Sequence, residues 1–415
     1  MKTTHSILGI LSISLLLTAC GGSSNSNNAA QQNPEPVKPT PEPKPLNDQG
    51  RLLIINDDAT RPELSLYDLT QKQTIQTTLL THLPSEIYSS PNYRYGVLLA
   101  RQQGQVNFYD SGLSLNNGAL VEQTPSLLNH QLFGAAPTHY RQFNGQAAIF
   151  YDGSETQNSK FDVFTDADIA KKFVASQKIP MKHHGVAEPL GELVLSSYVA
   201  EGATSPSLVK SYLLHGDHYH EEQKLVNPCP GLHGAASIQK FTGFGCQDGV
   251  LLVEQQGQKF IDFKLPLDVR IGTLVGHPNA LNLVGISSAS PDLFVIDAAK
   301  KSINQIKWIN QPETKRLKQS YSATGKYFVV LDSTGTLNIF DAQTWDITFR
   351  TPVLSIQPEN LNKTQLVMHG QLDEVFLNDT QNNSVIHVDL KTGSIKQRIQ
   401  LQAIPHKMAW VGVKS

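Results

Sequence analysis

The chain has 415 residues, with 34 Lys and Arg against 36 Asp and Glu, so its formal net charge is −2 at pH 7. This near-neutral balance argues against nucleic acid or anionic lipid headgroups as the main partner, because both are bound through clustered positive charge. The length allows either several domains or one large repetitive domain.

The N-terminus has the order of features that is typical of a bacterial lipoprotein signal. Lys2 gives a positive start, residues 7–17 are an apolar stretch too short to span a bilayer, and Leu-Thr-Ala precedes Cys20. We therefore predict a signal peptide over residues 1–19 and lipidation of Cys20. Gly21 replaces the aspartate that usually retains a lipoprotein in the inner membrane, which favours a lipid anchor on the periplasmic side of the outer membrane.

Residues 20–47 predict a disordered tether. The stretch is rich in Ser, Asn, Gln and Pro and ends in "PEPVKPTPEPKP", a composition that cannot bury enough apolar surface to fold. Alternating prolines favour an extended, semi-rigid spacer. Folded structure is therefore expected over residues 48–415.

Two cysteines remain after Cys20 is assigned to lipid. Cys229 and Cys246 are close in sequence, and an even pair in an oxidising periplasm suggests a disulfide.

The body of the chain repeats one design, in which an apolar run, a polar turn, a short alternating run and a third run follow one another. "YFVVLDSTGTLNIFDAQTWDITFRTPV" shows it most clearly. An aspartate at the end of the second run can accept a hydrogen bond from a backbone N–H two residues on, which fixes a tight turn. The aspartates in this position are Asp68, Asp110, Asp297, Asp341 and Asp389.

These runs predict an all-β fold, because they are short, rich in β-branched and aromatic residues, and bounded by turn signals. No stretch predicts a helix of three turns. Units of about 45 residues with four strands each predict a β-propeller of eight blades. Seven blades is the alternative, because residues 231–266 are compact and irregular. The lone C-terminal run "IPHKMAWVGV" would pair with the first runs and close the ring, which removes an open sheet edge. The first counted runs begin near Leu52, Tyr95, Gln146, Glu192, Thr242, Leu281, Tyr327 and Asp373.

Histidines recur with the blade period. His139, His184, His233 and His277 follow one another at steps of 45, 49 and 44 residues, and His183 precedes His184 directly. Equivalent positions of successive blades surround one axis, so these imidazoles are expected to converge at the mouth of the channel. Three imidazoles with water or a carboxylate make a tetrahedral zinc site. The alternative is that each histidine only bonds the backbone of the neighbouring blade.

A denser histidine tract, "LLHGDHYHEEQ", is predicted in a hairpin of the fourth blade. Asp217, His218 and His220 lie in it, and His218 and His220 would share one face of a strand. Such a tract suits capture of a divalent metal, whereas an exposed hairpin carrying only solvated polar residues is the alternative.

Several segments give the chain a family resemblance. "MKHHGVAEPLGELVLSS", "NPCPGLHGAAS" followed by "FGCQDGVLLVE", and the ending "HGQLDEVFLNDTQNNSVIHVDLKTGSIKQRI" resemble the AztD-type periplasmic zinc metallochaperones. The resemblance covers residues 52–413. It implies a β-propeller that binds Zn²⁺ and passes it to the solute-binding protein of a zinc ABC transporter.

The resemblance also implies roles for particular residues. It implies that Cys229 and Cys246 are paired, and that His139, His184 and His233 match the histidine-bearing motifs of the family. The chain differs from these relatives in its lipoprotein signal and in a tether without histidine. We hypothesise that the "HGDHYHEE" hairpin replaces the missing capture segment.

The function expected from the sequence is that of a non-enzymatic zinc metallochaperone, present as a monomer, which acts in metal homeostasis by ligand exchange. One rival is a lipid-anchored propeller that serves as an interaction scaffold of the envelope without a metal role. A metal-dependent lactonase is the other, but it would need a carboxylate-rich channel with a general base.

Overall fold

The computed structural model describes residues 49–56 and 58–414. The predicted signal peptide over residues 1–19, Cys20 and the predicted tether over residues 20–47 lie outside the described residues.

Most strands of the described residues belong to four-stranded antiparallel units, and most of these units are built from strands that follow one another in the chain. The strands of the first four repeats are β1 (Gly50–Asn56), β2 (Glu63–Asp68), β3 (Gln73–Leu79), β4 (Glu86–Ser89), β5 (Tyr95–Ala100), β6 (Gln105–Asp110), β7 (Leu113–Asn116), β8 (Ala119–Glu122), β9 (Ser126–Phe133), β10 (Pro137–Phe143), β11 (Gln146–Tyr151), β12 (Lys160–Phe164), β13 (Ala175–Lys178), β14 (Ala187–Leu190), β15 (Leu193–Tyr198), β16 (Leu208–His215) and β17 (His218–Lys224). The remaining strands are β18 (His233–Ile238), β19 (Phe241–Cys246), β20 (Gly249–Gln256), β21 (Lys259–Pro266), β22 (Ile271–Val275), β23 (Asn282–Ser287), β24 (Leu293–Asp297), β25 (Ser302–Ile306), β26 (Arg316–Tyr321), β27 (Tyr327–Asp332), β28 (Thr336–Asp341), β29 (Ile347–Pro352), β30 (Leu366–Met368), β31 (Glu374–Asp379), β32 (Ser384–Asp389), β33 (Ser394–Gln400) and β34 (Pro405–Gly412).

These strands make an eight-bladed β-propeller, as the sequence predicts. Blade 1 has the order β34-β1-β2-β3 and blade 2 the order β4-β5-β6-β9, with β7 and β8 as a separate hairpin. Blades 3 to 8 each use four consecutive strands, from β10–β13 to β30–β33. One parallel pair, Ser176 with His218, joins the outer strands of blades 3 and 4 into an eight-stranded sheet. The alternative of seven blades is excluded because residues 231–266 form blade 5 with regular pairing.

The C-terminal strand closes the ring, as predicted. β34 pairs antiparallel with β1 from Gly50–Gly412 to Ile55–Lys407. Trp410 is fully buried at this seam and meets the Tyr93 ring edge-on, with centroids 5.2 Å apart. Gly50 is required there, because a Cβ would lie 2.4 Å from Nε1 of Trp410.

The aspartate turns also match the prediction. Four of the carboxylates accept a backbone N–H two residues on, with N–O distances of 3.0, 2.9, 2.8 and 2.8 Å for Asp68, Asp110, Asp341 and Asp389. Asp297 instead accepts the N–H of Lys300, three residues on, at 2.9 Å. Each of these aspartates ends the third strand of its blade and fixes the turn that follows, which leads to the fourth strand in every case except Asp110, where the β7–β8 hairpin comes first.

Helices are short in the described chain. The α-helix α1 (Asp166–Lys171) begins with a capping box between Thr165 and Asp168, and 3-10 turns cover Arg101–Gln103 and Pro358–Lys363. Among residues 49–56 and 58–414, no helix has the length and apolar character needed to cross a membrane.

A disulfide links Cys229, which precedes β18, to Cys246 at the end of β19. Both cysteines are fully buried among Leu232, Phe244 and Leu251 of the blade 5 core. The crosslink therefore fixes the segment that leads into His233.

Candidate metal centre

Three of the predicted histidines lie at or just before the start of neighbouring inner strands, at the same end of the channel. His139 is the third residue of β10, His184 lies in the loop before β14, and His233 is the first residue of β18. β10 contacts β14 and β14 contacts β18. Residues near the start of these strands are therefore brought together from three blades.

The three side chains are close enough to ligate one ion. Nε2 of His184 lies 3.0 Å from Nε2 of His139 and 3.1 Å from Nε2 of His233. One nitrogen of each ring lies within 4.8 Å of the other two. Two nitrogens bound to one tetrahedral zinc at 2.0–2.1 Å would be roughly 3.3 Å apart, so only a small widening of the cluster is needed.

The hydrogen bonds of the outer ring nitrogens fix which nitrogen carries the proton. Nδ1 of His233 lies 2.6 Å from the carbonyl oxygen of Gly272, and Nδ1 of His184 lies 2.9 Å from Oδ2 of Asp152. A carbonyl or a carboxylate can only accept, so both Nδ1 atoms donate. In the neutral rings the two Nε2 atoms therefore present lone pairs to each other at 3.1 Å. Only a cation between them, a proton or a metal ion, makes this arrangement favourable.

A second layer of contacts holds the carboxylate partner of His184. Asp152 accepts from Nη2 of Arg101 at 2.8 Å. Burial alone would raise the pKa of Asp152, but the hydrogen bonds from His184 and Arg101 outweigh it and lower that pKa. Asp152 is therefore ionised, and this carboxylate–histidine pair has the form that orients metal-binding imidazoles and raises their basicity.

At His139, the third histidine of the cluster, protonation competes only weakly with metal binding. Burial, with the neighbouring imidazoles of His184 and His233, lowers the pKa of His139 to about 3. Its ring is thus neutral and able to ligate over the whole physiological range. The side chain of His184 is 44% exposed, so an ion held here remains accessible to an incoming ligand.

Local backbone features aim two of these side chains. The β10–β11 pairing shifts register between Pro137 and His139, and the β18–β19 pairing shifts between His233 and Ala235. Such bulges re-aim a side chain. Gly234 adopts a φ of +68°, and a Cβ there would lie 2.9 Å from the carbonyl oxygen of Gly272, the group that orients His233.

The histidine doublet divides into two roles. His183 is buried, with Nδ1 at 3.0 Å from the carbonyl oxygen of Met181 and Nε2 at 3.1 Å from Oγ of Ser197. Both of its nitrogens are engaged away from the cluster, and burial lowers its pKa. A Cβ at Gly185 would lie 2.3 Å from Oγ of Ser197, so this glycine is needed for the loop to pack. His183 supports the loop from which His184 reaches the cluster.

His277 is not brought to the cluster. It follows the end of β22 (Ile271–Val275), whereas His139 and His233 lie at the start of their inner strands. Its Nδ1 accepts the N–H of Asn279 at 3.2 Å, and its ring faces Tyr321 with centroids 6.3 Å apart. His277 therefore lines the channel cavity of about 600 Å³ together with Tyr321 and His369. The prediction that His277 lies at the same position of its blade as His139, His184 and His233 is therefore wrong.

The predicted hairpin tract spans the end of β16, the two-residue turn at residues 216–217 and the start of β17. Nε2 of His218 is 3.0 Å from Nε2 of His220, and Oδ1 of Asp217 is 3.1 Å from Nδ1 of His218. His215 pairs with His218 across the hairpin.

Sequence reasoning missed three groups of the metal centre, namely Asp152, Arg101 and the carbonyl of Gly272. Asp152 follows β11 in "IFYDG", and its position at the end of a second strand is the signal that could have indicated it. The carbonyl of Gly272 has no sequence signal, because any residue supplies one.

Fold and site together define an eight-bladed β-propeller with a three-histidine cluster at one end of its channel. No family model matches the chain. It is 21% identical over 318 residues to the zinc chaperone AztD of Citrobacter koseri, a match that covers 74% of this chain and 72% of that protein. The resemblance to AztD-type proteins that the sequence motifs suggest is thereby confirmed.

Solved structures agree on the fold. The structure of apo AztD and the crystal structure of AztD, both from Citrobacter koseri, each match with a TM-score of 0.74 at 20% and 19% identity, over 88% of this chain and 99% of theirs. Dihydro-heme d1 dehydrogenase NirN matches with a TM-score of 0.57 at 13% identity, over 91% of this chain and 77% of its own. At these identities the structures show the β-propeller fold alone.

Proposed function

We propose that this protein is a zinc-binding metallochaperone in which His139, His184 and His233 hold the zinc cargo. One observation carries the proposal: the lone pairs of His184 and His233 face each other at 3.1 Å, while their other nitrogens donate to fixed acceptors. The similarity to the zinc chaperone AztD supports zinc as the ion.

Ligand exchange is the proposed mechanism of transfer. Three imidazoles leave one position of a tetrahedral zinc ion open. Because His184 is partly exposed, a histidine or carboxylate of an acceptor can bind at that open position before the chain's own imidazoles leave. Arg101 and Asp152 keep the imidazole of His184 oriented, so the site is intact for the next ion.

The proposed acceptor is the solute-binding protein of a zinc ABC transporter, and the proposed location is the periplasm. The lipoprotein signal further suggests anchoring through Cys20 at the outer membrane. The chain is proposed to act as a monomer and without enzymatic activity.

The carboxylate that orients His184 should tune metal affinity. We expect Asp152→Asn to weaken zinc binding about 10- to 100-fold, because the amide loses the negative charge that orients the His184 imidazole and stabilises a bound cation. Competition titration of the apoprotein against a chromophoric zinc chelator measures the change. Asp68→Asn, which alters a turn carboxylate in blade 1, serves as the control and should leave the affinity unchanged.

Transfer is tested by mixing zinc-loaded protein with a zinc-free solute-binding protein and separating the two at intervals. If transfer proceeds by ligand exchange, zinc should reach the acceptor faster than it reaches a small chelator present at the same concentration. Equal rates would mean release of free ion and would contradict direct transfer. If the untagged apoprotein binds zinc no more tightly than micromolar, the alternative of an interaction scaffold without a metal role is favoured instead.

A further inference from the structure

A second group of imidazoles projects from the β16–β17 hairpin, apart from the metal centre. His215 and His218 are directly opposite each other in the antiparallel register. His220 lies on the same side, with its ring centroid 4.6 Å from that of His215 and 4.9 Å from that of His218. Three imidazoles thus share one exposed face of the hairpin.

The opposite face of the hairpin anchors this arrangement. Tyr219, between the two strand histidines, is buried and packs edge-on against Phe161 with centroids 5.4 Å apart. Because side chains alternate along a strand, burial of Tyr219 directs His218 and His220 to solvent. Glu221 pairs with Lys210 at 2.6 Å, which ties β17 to β16 just beyond the histidines.

Asp217 contacts a histidine in the way that Asp152 does at the first site. Its Oδ1 accepts from Nδ1 of His218 at 3.1 Å. With the proton on Nδ1, the Nε2 of His218 presents a lone pair toward His220, 3.0 Å away. The carboxylate is therefore placed to orient a ligand and has no need to bind the ion itself.

The hairpin and the metal centre lie at opposite ends of blade 4. β15 is antiparallel to both β14 and β16, so β16 runs in the direction of β14. His184 precedes β14, whereas the hairpin turn follows β16. An ion cannot pass between the two clusters by a shared ligand, and each must load from solvent on its own.

We propose that His215, His218 and His220 form a second, independent site for a divalent transition-metal ion such as zinc, with Asp217 as a positioning residue. The site is weaker than the first, because the imidazoles are exposed and must be ordered when the ion binds. The side chain of His218 is 55% exposed, so the ion is open to exchange with solvent. This inference does not depend on the proposed function of the first site.

Zinc titration of the full chain by calorimetry, with bound zinc counted after gel filtration, tests this proposal. We expect two binding classes in the natural protein. The variant His215→Ala/His218→Ala/His220→Ala should lose the weaker class and keep the tighter one within about twofold. The variant His184→Ala/His233→Ala should lose the tighter class and keep the weaker one. His82→Ala removes an exposed histidine outside both clusters and is the matched control.

Two outcomes would overturn the hairpin site. Retention of both zinc classes in the triple variant would do so, as would loss of the weaker class in His82→Ala. Asp217→Asn separates orientation from ligation, because a positioning role predicts a loss of about 10- to 100-fold with one ion still bound at saturation. Loss of the tight class in His184→Ala/His233→Ala, with the hairpin class retained, shows that the two proposals stand or fall separately.

Discussion

Replacing two of the three clustered histidines in His184→Ala/His233→Ala is expected to lower the affinity of the channel-end site for zinc by more than about 100-fold. Loss of a carboxylate partner alone costs 10- to 100-fold at comparable sites, and removal of the ligands must cost more. A single imidazole, His139, would remain. Competition against a chelator of nanomolar affinity measures the change.

The double variant should remain folded, because His184 is exposed and the side chain of His233 is only half-buried. Removal of the facing lone pairs relieves repulsion in the metal-free protein, so its melting temperature should not fall. His130→Ala is the control, since that ring packs on Phe108 in blade 2 and lies outside both clusters. An unchanged zinc affinity in the double variant would contradict the proposal that His139, His184 and His233 bind the zinc ion.

Loss of the disulfide in Cys229→Ala/Cys246→Ala is expected to lower the free energy of unfolding by about 3 kcal/mol, as the loop-closure relation gives for a loop of this length. The two cysteines are separated by 17 positions. Both are buried, so alanine also leaves a small cavity in blade 5 that adds to the loss. Denaturant unfolding of the two proteins measures the difference.

The same variant links the crosslink to the metal centre. The disulfide fixes the segment that leads into His233, so zinc affinity should fall together with stability. Lys259→Ala, which changes an exposed residue on β21 of the same blade, is the control. A variant without the disulfide that unfolds at the same denaturant concentration as the natural protein would contradict the expected stabilisation.

The sequence predicts most of the fold because the propeller repeats its local signals. Runs counted from Tyr95, Gln146 and Tyr327 begin where β5, β11 and β27 begin. Aspartates identify the ends of the third strands, because each turn is fixed by a hydrogen bond between residues only two or three positions apart and can therefore be read from the local sequence. The short helix α1 and the hairpin β7–β8 are insertions that interrupt the repeat, and no periodicity indicates them.

The candidate site is predicted less completely than the fold, because a shift of a few residues along the inner strand decides whether a histidine reaches the cluster. His233 and His277 are 44 positions apart, near the blade period, yet they lie at opposite ends of inner strands. Blade 6 has a longer connection between its inner and second strands than blade 5, residues 276–281 against residues 239–240, and His277 lies in that connection. A spacing near the period therefore identifies the blade but not the end of the strand.

Ring closure imposes an order on the making of the protein. Of the described strands β1 is synthesised first, but its partner β34 is synthesised last. Until then one side of β1 has unpaired backbone groups, which is the kind of edge that invites pairing with other chains. Blade 1 is thus the first blade to be synthesised and the last to be completed, and a chain stalled or cut before β34 should be the form most prone to aggregate.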